Sequence, residues 1–331
     1  MRILVDAMGG DNAPVAIVKG CVDAVNHENG YNITLIGDET RIKEILSNEN
    51  YDNNRIEIRH ASEVITNEDK PTVAIKNKKD SSLVVGFNML KKNEGDAFLS
   101  AGNTGAILTA SLLLIGRIKG VLRPALGAII PTKSGETLLI DAGLNSAVRP
   151  ESYVQFAHFG TEYMSALYGI DKPKVGLINI GHEDAKGTPE VKEANELLKQ
   201  TDVNYVGNLE GNDVINGKAK VVLCDGFVGN ILLKFFEGTG RYFLGSLKGI
   251  MKKNIFSKIA GLILKKDLKK FFAPMDTDVV GGAPVLGVNG LIMKSHGSSK
   301  AVTIKNVVSK TARLAKADIT KHIKMSLEGE I

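Results

Sequence analysis

Ser100-Ala-Gly-Asn-Thr-Gly-Ala106 separates a short apolar run, residues 97–99, from a longer one, residues 106–115. This pattern predicts a strand, a tight loop and a helix. The two glycines allow the backbone to turn and to approach a ligand closely, while Asn103 or Thr104 can cap the helix. Because free N–H groups at a helix start can bind an anion, the loop is a candidate ligand site, although an ordinary α/β turn has the same composition.

Strands and helices alternate on both sides of this loop. The chain opens with an apolar strand, residues 2–6, and a helix from about residue 13 to residue 27 that Asp11 or Asn12 can cap. The polar turn Lys133-Ser-Gly-Glu136 joins two apolar runs and predicts a hairpin. Since most strands are followed by a helix, we expect an α/β fold with a mostly parallel sheet covered on both faces.

Length and composition are those of an ordinary globular protein. The chain has 331 residues, 43% of them hydrophobic, and a mean hydropathy of −0.01. Its two cysteines, Cys21 and Cys224, suit neither a disulfide framework nor a metal site.

No stretch approaches the ~18 apolar residues of a membrane-crossing helix, and the start lacks a signal segment, so we expect a cytoplasmic protein. We expect residues 1–331 to form one catalytic unit, with a possible subdivision near residues 120–150.

Positive charge is concentrated in one segment. The formal net charge is +5, but residues 248–274 contain eight lysines and one aspartate, which leaves the rest of the chain slightly acidic. Basic patches interleaved with aromatic residues are missing elsewhere, and this argues against a nucleic-acid partner.

Five loops rich in glycine, asparagine and aspartate follow predicted strands. They begin at Met8, Ser100, Asp141, Gly181 and Asp225. The carboxyl ends of parallel strands face one crevice, where open α/β sheets bind ligands, so we expect the five loops to meet there. Their N–H groups, amide side chains and lysine suit an anionic ligand.

Signatures of several enzyme classes are missing from these loops. No Gly-x-x-x-x-Gly-Lys-Ser/Thr occurs, and Met8-Gly-Gly-Asp11 stands where a dinucleotide-binding protein would have Gly-x-Gly-x-x-Gly. His182-Glu183 lacks a second histidine at zinc-protease spacing, and no Gly-x-Ser-x-Gly follows a strand. We therefore expect no metal, no cofactor and no serine nucleophile, and the attacking group should come from a substrate.

Several of these loops, with two further segments, carry a family resemblance. The segments are Asp6-Ala-Met-Gly-Gly-Asp-Asn-Ala-Pro14, Ser100-Ala-Gly-Asn-Thr-Gly-Ala106, Ile178-Asn-Ile-Gly-His-Glu-Asp-Ala-Lys-Gly187, Asp225-Gly-Phe-Val-Gly-Asn230 and Gly281-Gly-Ala-Pro-Val-Leu-Gly287. In this order and spacing, over residues 1–317, the chain resembles the PlsX-type phosphate acyltransferases of bacterial phospholipid synthesis.

The resemblance implies a fold, a reaction and partners. The implied fold is a three-layer α/β/α sandwich with a mostly parallel sheet, of the isocitrate/isopropylmalate-dehydrogenase type. The implied assembly is a homodimer. The reaction converts acyl-[acyl carrier protein] and orthophosphate to acyl phosphate and free acyl carrier protein, feeding phosphatidic acid synthesis through a membrane glycerol-phosphate acyltransferase. Three positions depart from the family pattern, namely Leu144, His182 and Val228, and no role is expected for those side chains.

Lys186 and Asn230 are the candidate catalytic residues. With phosphate as nucleophile, a cation beside the phosphate or the developing oxyanion and a neighbouring amide donor would supply the chemistry, and the resemblance points to the same two residues. Without the family motifs, the sequence is equally compatible with Lys186 as a solvated residue that starts a helix and Asn230 as a turn residue. The candidate substrate-binding residues are Gly9, Gly10, Gly102, Asn103, Thr104, Gly105, Asp184 and Asp225, and helix capping is the favoured role of the two aspartates.

A basic, apolar segment follows the predicted long helix that ends near Met251. Ile255, Ile259 and Ile263 share one helical arc into which Lys266 would rotate, so we expect two short helices with a corner at residues 259–264. Flanking lysines favour peripheral attachment to the inner face of the cell membrane. The candidate membrane-binding residues are Ile259, Leu262, Ile263 and Leu264. A buried dimer contact and a surface for the acidic carrier protein are the alternatives.

Other functions are compatible with the same residues. Within enzymes, a short-chain phosphate acyltransferase or a dehydrogenase of the same fold class is the alternative. A membrane-tethered scaffold that binds the carrier protein without catalysis is the alternative from another class.

Overall fold

The computed structural model describes residues 1–272 and 281–328, and eleven strands of this part of the chain form one sheet. The last residues of the predicted basic segment, 273 and 274, lie outside the described residues. The strands are β1 (Arg2–Asp6), β2 (Asn32–Gly37), β3 (Ile56–His60), β4 (Ala97–Ser100), β5 (Ala125–Thr132), β6 (Gly135–Ile140), β7 (Val175–Ile178), β8 (Tyr205–Leu209), β9 (Val221–Leu223), β10 (Ala283–Leu286) and β11 (Leu291–Lys294). Their spatial order is β3-β2-β1-β4-β11-β10-β5-β6-β9-β7-β8.

Helices cover both faces of this sheet. They are α1 (Val15–His27), α2 (Glu39–Leu46), α3 (Pro71–Asn77), α4 (Ser82–Lys91), α5 (Thr104–Ala110), α6 (Pro150–Tyr168), α7 (Pro189–Leu198), α8 (Gly211–Asn216), α9 (Gly226–Lys252), α10 (Ile255–Phe272), α11 (Ala301–Lys316) and α12 (Ile319–Glu328). A π-helical turn, Ser111–Ile115, extends α5, and a 3-10 turn, Asn53–Arg55, precedes β3.

Alternating side chains of the central strands build two separate cores. In β4, Leu99 packs with α1, α6 and α11 on one face, whereas Phe98 packs with α4 and α5 on the other. This alternation is the period of two expected for a strand that is buried on both faces. The three-layer α/β/α architecture predicted from the sequence is therefore confirmed.

Strand direction changes in the middle of the sheet. The strands β3, β2, β1, β4 and β11 are parallel to one another, and so are β6, β9, β7 and β8. Between these sets, β10 is antiparallel to β11 and to β5, and β5 forms the predicted antiparallel hairpin with β6. Of these pairings only the β5–β6 hairpin lies wholly within residues 120–150, and the sheet is continuous through all of them.

This reversal overturns the expectation of a single crevice lined by five loops. Because the two parallel sets run in opposite directions, the loops after β1 and β4 lie at one edge of the sheet. The loops after β6, β7 and β9 lie at the opposite edge. The prediction assumed one strand direction throughout, and three antiparallel pairings in the middle of the sheet remove that assumption.

Capping at the first helix also differs from the prediction. Helix α1 begins at Val15 without a side-chain cap. Instead, Asn12 donates from Nδ2 to the carbonyl oxygens of Ser298 and Ser299, at 3.1 and 3.2 Å. The Asn12 amide therefore joins the loop after β1 to the loop after β11, which is distant in sequence.

The long helix α9 and the helix α10 form a largely exposed pair. Residues Gly226 and Gly229 are the buried ones of α9. Helix α10 is continuous, so the prediction of two short helices is wrong. Gly261 of α10 is buried against Met251 of α9, and because the outer surface of α10 is uncovered, its apolar residues need not keep to one arc. In residues 1–272 and 281–328, no helix is long and apolar enough to cross a membrane.

Candidate active site

A buried carboxylate at the end of β1 organises the first cluster of loops. Asp6 Oδ2 accepts a hydrogen bond of 2.7 Å from Ser100 Oγ, and Asp6 Oδ1 accepts one of 3.1 Å from the backbone N–H of Met8. Burial raises the pKa of Asp6, although these hydrogen bonds oppose the increase. Asp6 thus ties the loop after β1 to the loop after β4.

The glycines predicted to bind substrate lie where these loops touch one another. A Cβ on Gly9 would lie 2.5 Å from Asp6 Oδ2 and 2.8 Å from the backbone nitrogen of Gly102. Gly10 has a φ of 105°, and a Cβ there would lie 3.0 Å from the carbonyl oxygen of Gly297. Loop packing alone therefore requires glycine at residues 9 and 10, and contact with substrate stays a prediction.

The start of α5 has the capping that the sequence predicts. Asn103 Oδ1 accepts the backbone N–H of Ala106 at 3.0 Å, which confirms Asn103 as the cap. Thr104 is exposed beside it. A Cβ on Gly105 would lie 2.8 Å from Pro71 Cγ, so Gly105 allows α5 to approach α3.

A second buried carboxylate, Asp141, organises the loops at the opposite edge. It accepts five hydrogen bonds of 2.8–3.1 Å, from the backbone N–H groups of Leu126, Gly143, Leu144 and Asn145 and from Asn145 Nδ2. Burial raises the pKa of Asp141, and the hydrogen bonds oppose the increase. Neither Asp6 nor Asp141 is among the site residues predicted from the sequence, although each follows an apolar run and precedes a glycine-containing loop.

Asn230 lies in the first turns of α9 at this second edge. Its side chain is exposed beside Gly143, at which a Cβ would lie 3.4 Å from Asn230 Oδ1. The helix begins where Asp225 Oδ1 accepts the backbone N–H of Val228 at 2.8 Å, which confirms capping as the role of Asp225. The Asn230 amide is therefore presented to solvent by a helix whose start is fixed.

Lys186 lies in the loop between β7 and α7 at the same edge. Its backbone N–H donates to the carbonyl oxygen of Glu183 at 3.0 Å, and its own carbonyl oxygen accepts from Asn179 Nδ2 at 3.0 Å. The side chain is exposed, and no ion pair of Lys186 is found within the described ranges. The backbone of Lys186 is held while its ammonium group stays available.

Asp184 does not take the favoured role of a helix cap. Its carboxylate lies 2.9 Å from Lys199 Nζ and accepts a 2.8 Å hydrogen bond from Asn195 Nδ2. These partners lower the pKa of Asp184. Thr188 caps α7 instead, so Asp184 fastens this loop to the side of α7, and contact of Asp184 with substrate stays a prediction.

His182, a departure from the family pattern, has a structural partner. Its Nε2 lies 2.5 Å from Oδ2 of Asp213, and Lys218 Nζ lies 2.6 Å from Oδ1 of the same carboxylate. Burial raises the pKa of Asp213, but the hydrogen bonds from Lys218 and His182 outweigh it and lower the pKa to about 2.

The predicted site residues thus fall into two groups. Lys186, Asn230, Asp184 and Asp225 share the edge at the ends of β7 and β9, whereas Gly9, Gly10, Gly102, Asn103, Thr104 and Gly105 lie at the opposite edge. Within one copy of the chain, the structure does not bring the two groups together.

A cleft on one face of the sheet extends between these edges. It has a volume of about 110 Å³ and lies between β5 and α9. Its apolar walls include Leu126, Ala128 and Pro131 of β5 and Leu233 and Phe236 of α9, and its charged or polar side chains are Lys234, Glu237, Lys294 and His296. This cleft is not predictable from local sequence patterns, because it is created where β10 joins β11 to β5.

Lys294 is the unanticipated cation of the cleft. Its side chain is half-buried, and no hydrogen bond or ion pair of its Nζ is found in the described part of the chain. Burial and the nearby Lys234 lower the pKa of Lys294, and Glu237 opposes them. Lys294 ends an apolar strand directly before Ser295-His-Gly297, and that position is the signal that could have identified it.

His296 occupies the rim of the same cleft. Its Nδ1 lies 2.9 Å from Ser298 Oγ, while burial, followed by Lys294 and Lys234, lowers the pKa of the imidazole. The side chain therefore belongs to a candidate site.

The candidate membrane-binding residues are all on the surface of α10. The exposed fractions of Ile259, Leu262, Ile263 and Leu264 are 50%, 70%, 73% and 49%. The segment is therefore not buried within one copy of the chain.

Comparison with known proteins places this geometry in context. The model of the family described as "Fatty acid synthesis protein" matches residues 1–322. A curated phosphate acyltransferase of Acetivibrio thermocellus is 59% identical over 315 residues, covering 95% of this chain and 93% of that protein. One from Caldanaerobacter subterraneus subsp. tengcongensis is 45% identical over 328 residues, covering 99% and 98%.

Solved structures of other proteins share the fold. A phosphotransacetylase from Streptococcus pyogenes has a TM-score of 0.61 at 16% identity, covering 96% of this chain and 94% of that one. A branched-chain phosphotransacylase from Enterococcus faecalis has a TM-score of 0.59 at 15% identity, covering 95% and 99%.

Proposed function

The chain belongs to the fatty acid synthesis protein family and is a phosphate acyltransferase of fatty acid and phospholipid synthesis, and on this basis we propose that it transfers a long acyl group from acyl carrier protein to orthophosphate. The acyl phosphate product then feeds phosphatidic acid synthesis. The observation that carries the proposal is the presence of an exposed lysine and an exposed amide, Lys186 and Asn230, at the ends of two adjacent strands.

The reaction needs no nucleophile from the protein. An oxygen of hydrogen phosphate attacks the thioester carbonyl carbon, the new C–O bond forms, and the C–S bond breaks as the tetrahedral intermediate collapses. The proton of hydrogen phosphate ends on the departing thiolate, so that acyl phosphate and the thiol of the carrier protein are the products. Holding both reactants together can contribute roughly 7–11 kcal/mol of the rate enhancement.

Lys186 and Asn230 supply electrostatic stabilisation in this proposal. The Lys186 ammonium lies beside the phosphate or the oxyanion that develops on the carbonyl oxygen, and the Asn230 amide donates to the same charge. One preorganised donor of this kind contributes about 3–4 kcal/mol to transition-state stabilisation. Their backbones are fixed by Asn179 and by the Asp225 cap, which supports preorganisation.

Surface features support the proposed partners. On α9, Phe227, Ile231, Phe235 and Tyr242 share one helical stripe, with exposed fractions of 62%, 53%, 73% and 71%. We assign this stripe to a second copy of the chain in a homodimer, and α10 to the inner surface of the cell membrane, from which a glycerol-phosphate acyltransferase would take the product. Replacing Phe235 and Tyr242 by glutamate should give monomers in sedimentation equilibrium, and an unchanged mass would contradict this assignment.

The test of substrate identity compares two thioesters of the same acyl chain. Thiol release is measured from acyl carrier protein and from coenzyme A, each with and without orthophosphate. We expect phosphate-dependent release that is faster from the carrier protein. Equal rates with both thioesters would contradict the carrier protein as substrate, and faster release with an acetyl thioester would favour a short-chain enzyme.

A further inference from the structure

We propose that the cleft between β5 and α9 binds the phosphoryl group of the acyl phosphate through Lys294, with the first carbons of the acyl chain against the wall formed by β5. This inference rests on the proposed function and assigns a product site to residues that the catalytic proposal does not use. Orthophosphate presents the same oxygens, and the experiment below separates the two ligands.

The charges around the cleft call for an anion. Lys234 Nζ lies 2.9 Å from Glu237 Oε2, so the one carboxylate among the described lining residues is already paired. Lys294 adds a second ammonium group to the same lining, for which the described residues offer no carboxylate partner. Since two ammonium groups and one carboxylate leave a net positive charge among the described lining residues, a bound phosphoryl group would stabilise this arrangement.

The walls of the cleft indicate what is attached to that anion. Leu126, Ala128, Pro131, Leu233 and Phe236 present apolar surface next to the ammonium groups. A sugar or nucleotide would leave its hydroxyl groups without partners against these side chains, whereas an alkyl chain would not. The ligand class is therefore an alkyl chain that ends in a phosphoryl group.

The size of the cleft fixes how much of the ligand it holds. Its volume of about 110 Å³ is well below that of sites which enclose a drug-sized ligand, roughly 300–1,000 Å³. The cleft therefore holds the phosphoryl group and the first carbons, and the rest of the chain extends out along α9.

The position of the cleft relative to Asn230 connects this site to the reaction. Asn230 and Lys234 are four residues apart on α9, a spacing that places side chains on neighbouring positions of one helix face. A phosphoryl group between Lys234 and Lys294 would lie about one helical turn from the proposed amide donor. The product would thus leave the reacting centre along α9 without crossing the sheet.

The experiment is an equilibrium titration with octyl phosphonate, which cannot be hydrolysed or transferred. Calorimetry gives Kd for the wild type, Lys294→Met, Lys294→Arg and the control Lys119→Met, a change at an exposed lysine outside the cleft. We expect Kd to rise at least 10-fold for Lys294→Met and less than 3-fold for the other two. Unchanged binding by Lys294→Met would overturn the proposal.

A second variant tests the alkyl part of the site. Ala128→Phe fills the apolar wall, and we expect it to weaken octyl phosphonate at least 10-fold while methyl phosphonate binds as before. Equal weakening of octyl phosphonate and methyl phosphonate would overturn the placement of the alkyl chain. Orthophosphate is titrated in the same way, and a Lys294→Met variant that loses affinity for orthophosphate alone would overturn it too. The binding experiment requires no turnover, so it is independent of the proposed function. If the enzyme binds octyl phosphonate through Lys294 but does not cleave the thioester, the proposed function is wrong and the binding site stands.

Discussion

Asn145 donates two hydrogen bonds to Asp141, one from its backbone N–H and one from its side-chain amide, each 2.8 Å long. The carbonyl oxygen of Asn145 accepts the backbone N–H of Gly226 at 2.7 Å. This pair therefore holds the start of α9, and with it Asn230, against the end of β6.

Replacing Asp141 by asparagine should lower the free energy of unfolding by about 3 kcal/mol. The carboxylate accepts five hydrogen bonds, and an amide in its place offers one acceptor oxygen and turns an NH2 group toward N–H donors. Urea unfolding at pH 7 measures the change, with Asp202→Asn at an exposed position as the control. Equal stability of the two variants would contradict the organising role of Asp141.

Lys186→Ala and Asn230→Ala should each lower kcat by about 100-fold or more, because each removes a charge-stabilising donor. Steady-state thiol release at saturating phosphate measures this effect. Lys192→Ala, which removes another exposed lysine from the neighbouring helix α7, should keep wild-type kcat. Near-normal turnover of either variant would exclude that residue from the mechanism.

The ion pair of Asp213 with Lys218 and its hydrogen bonds predict an acid-sensitive contribution to stability. Its pKa is lowered to about 2 in the folded chain from 3.8, so its contribution is present above about pH 4 and is lost as the pH falls toward 2. Asp213→Asn should therefore lower the free energy of unfolding at pH 7 by about 2 kcal/mol. This deficit, measured by urea unfolding, should shrink between pH 4 and pH 2.5. A deficit that stays constant over this range would refute the assignment.

Leu262→Asp together with Leu264→Asp should weaken binding to anionic vesicles by about 100-fold or more, because each inserted leucine contributes about 1.5–3 kcal/mol. Cosedimentation with phosphatidylglycerol vesicles measures the affinity. Val206→Asp, at an exposed apolar position on β8, is the matched control and should bind as the wild type does. Indistinguishable binding by the double variant would mean that α10 does not attach the protein to the membrane.

Binding of octyl phosphonate should weaken as the pH rises, and at a lower pH than at a site with an ordinary lysine. Burial and Lys234 lower the pKa of Lys294, so the ammonium that binds the phosphonate is lost as the pH rises through that lowered value. Among the described residues, the charged groups that face Lys294 and His296 are Lys234 and Glu237 of α9 and Asp11 of the loop after β1. Titrations between pH 8 and 10 measure the effect. Lys294→Arg should remove this pH dependence, and its persistence in that variant would point to another group.

Local chemistry explains why several features were predictable from the sequence. Asn103 and Asp225 each accept an N–H three residues ahead, at the start of a helix, so a short stretch of sequence contains the whole interaction. The hairpin at Lys133-Ser-Gly-Glu136 is equally local. The family resemblance then supplied the reaction, which no spacing of residues in this chain would have indicated.

Long-range pairing explains what the sequence could not indicate. The two groups of site residues are separated by strand directions that depend on β10, a strand of four residues inserted between β5 and β11. Asn12 and Asp184 also find partners outside their own loops, at Ser298 and Lys199. Lys294 becomes a site residue because α9 crosses above it, and nothing within β11 indicates that crossing.

The central claim, transfer of an acyl group to phosphate, is tested most directly by 13C NMR of the product. A long-chain thioester of acyl carrier protein, labelled with 13C at its carbonyl carbon, is incubated with the enzyme and orthophosphate. We predict that the thioester signal is replaced by a carbonyl signal split by coupling to 31P, which shows a C–O–P linkage. An unsplit carboxylate signal with no such intermediate, or a thioester signal that persists at millimolar phosphate, would contradict the account.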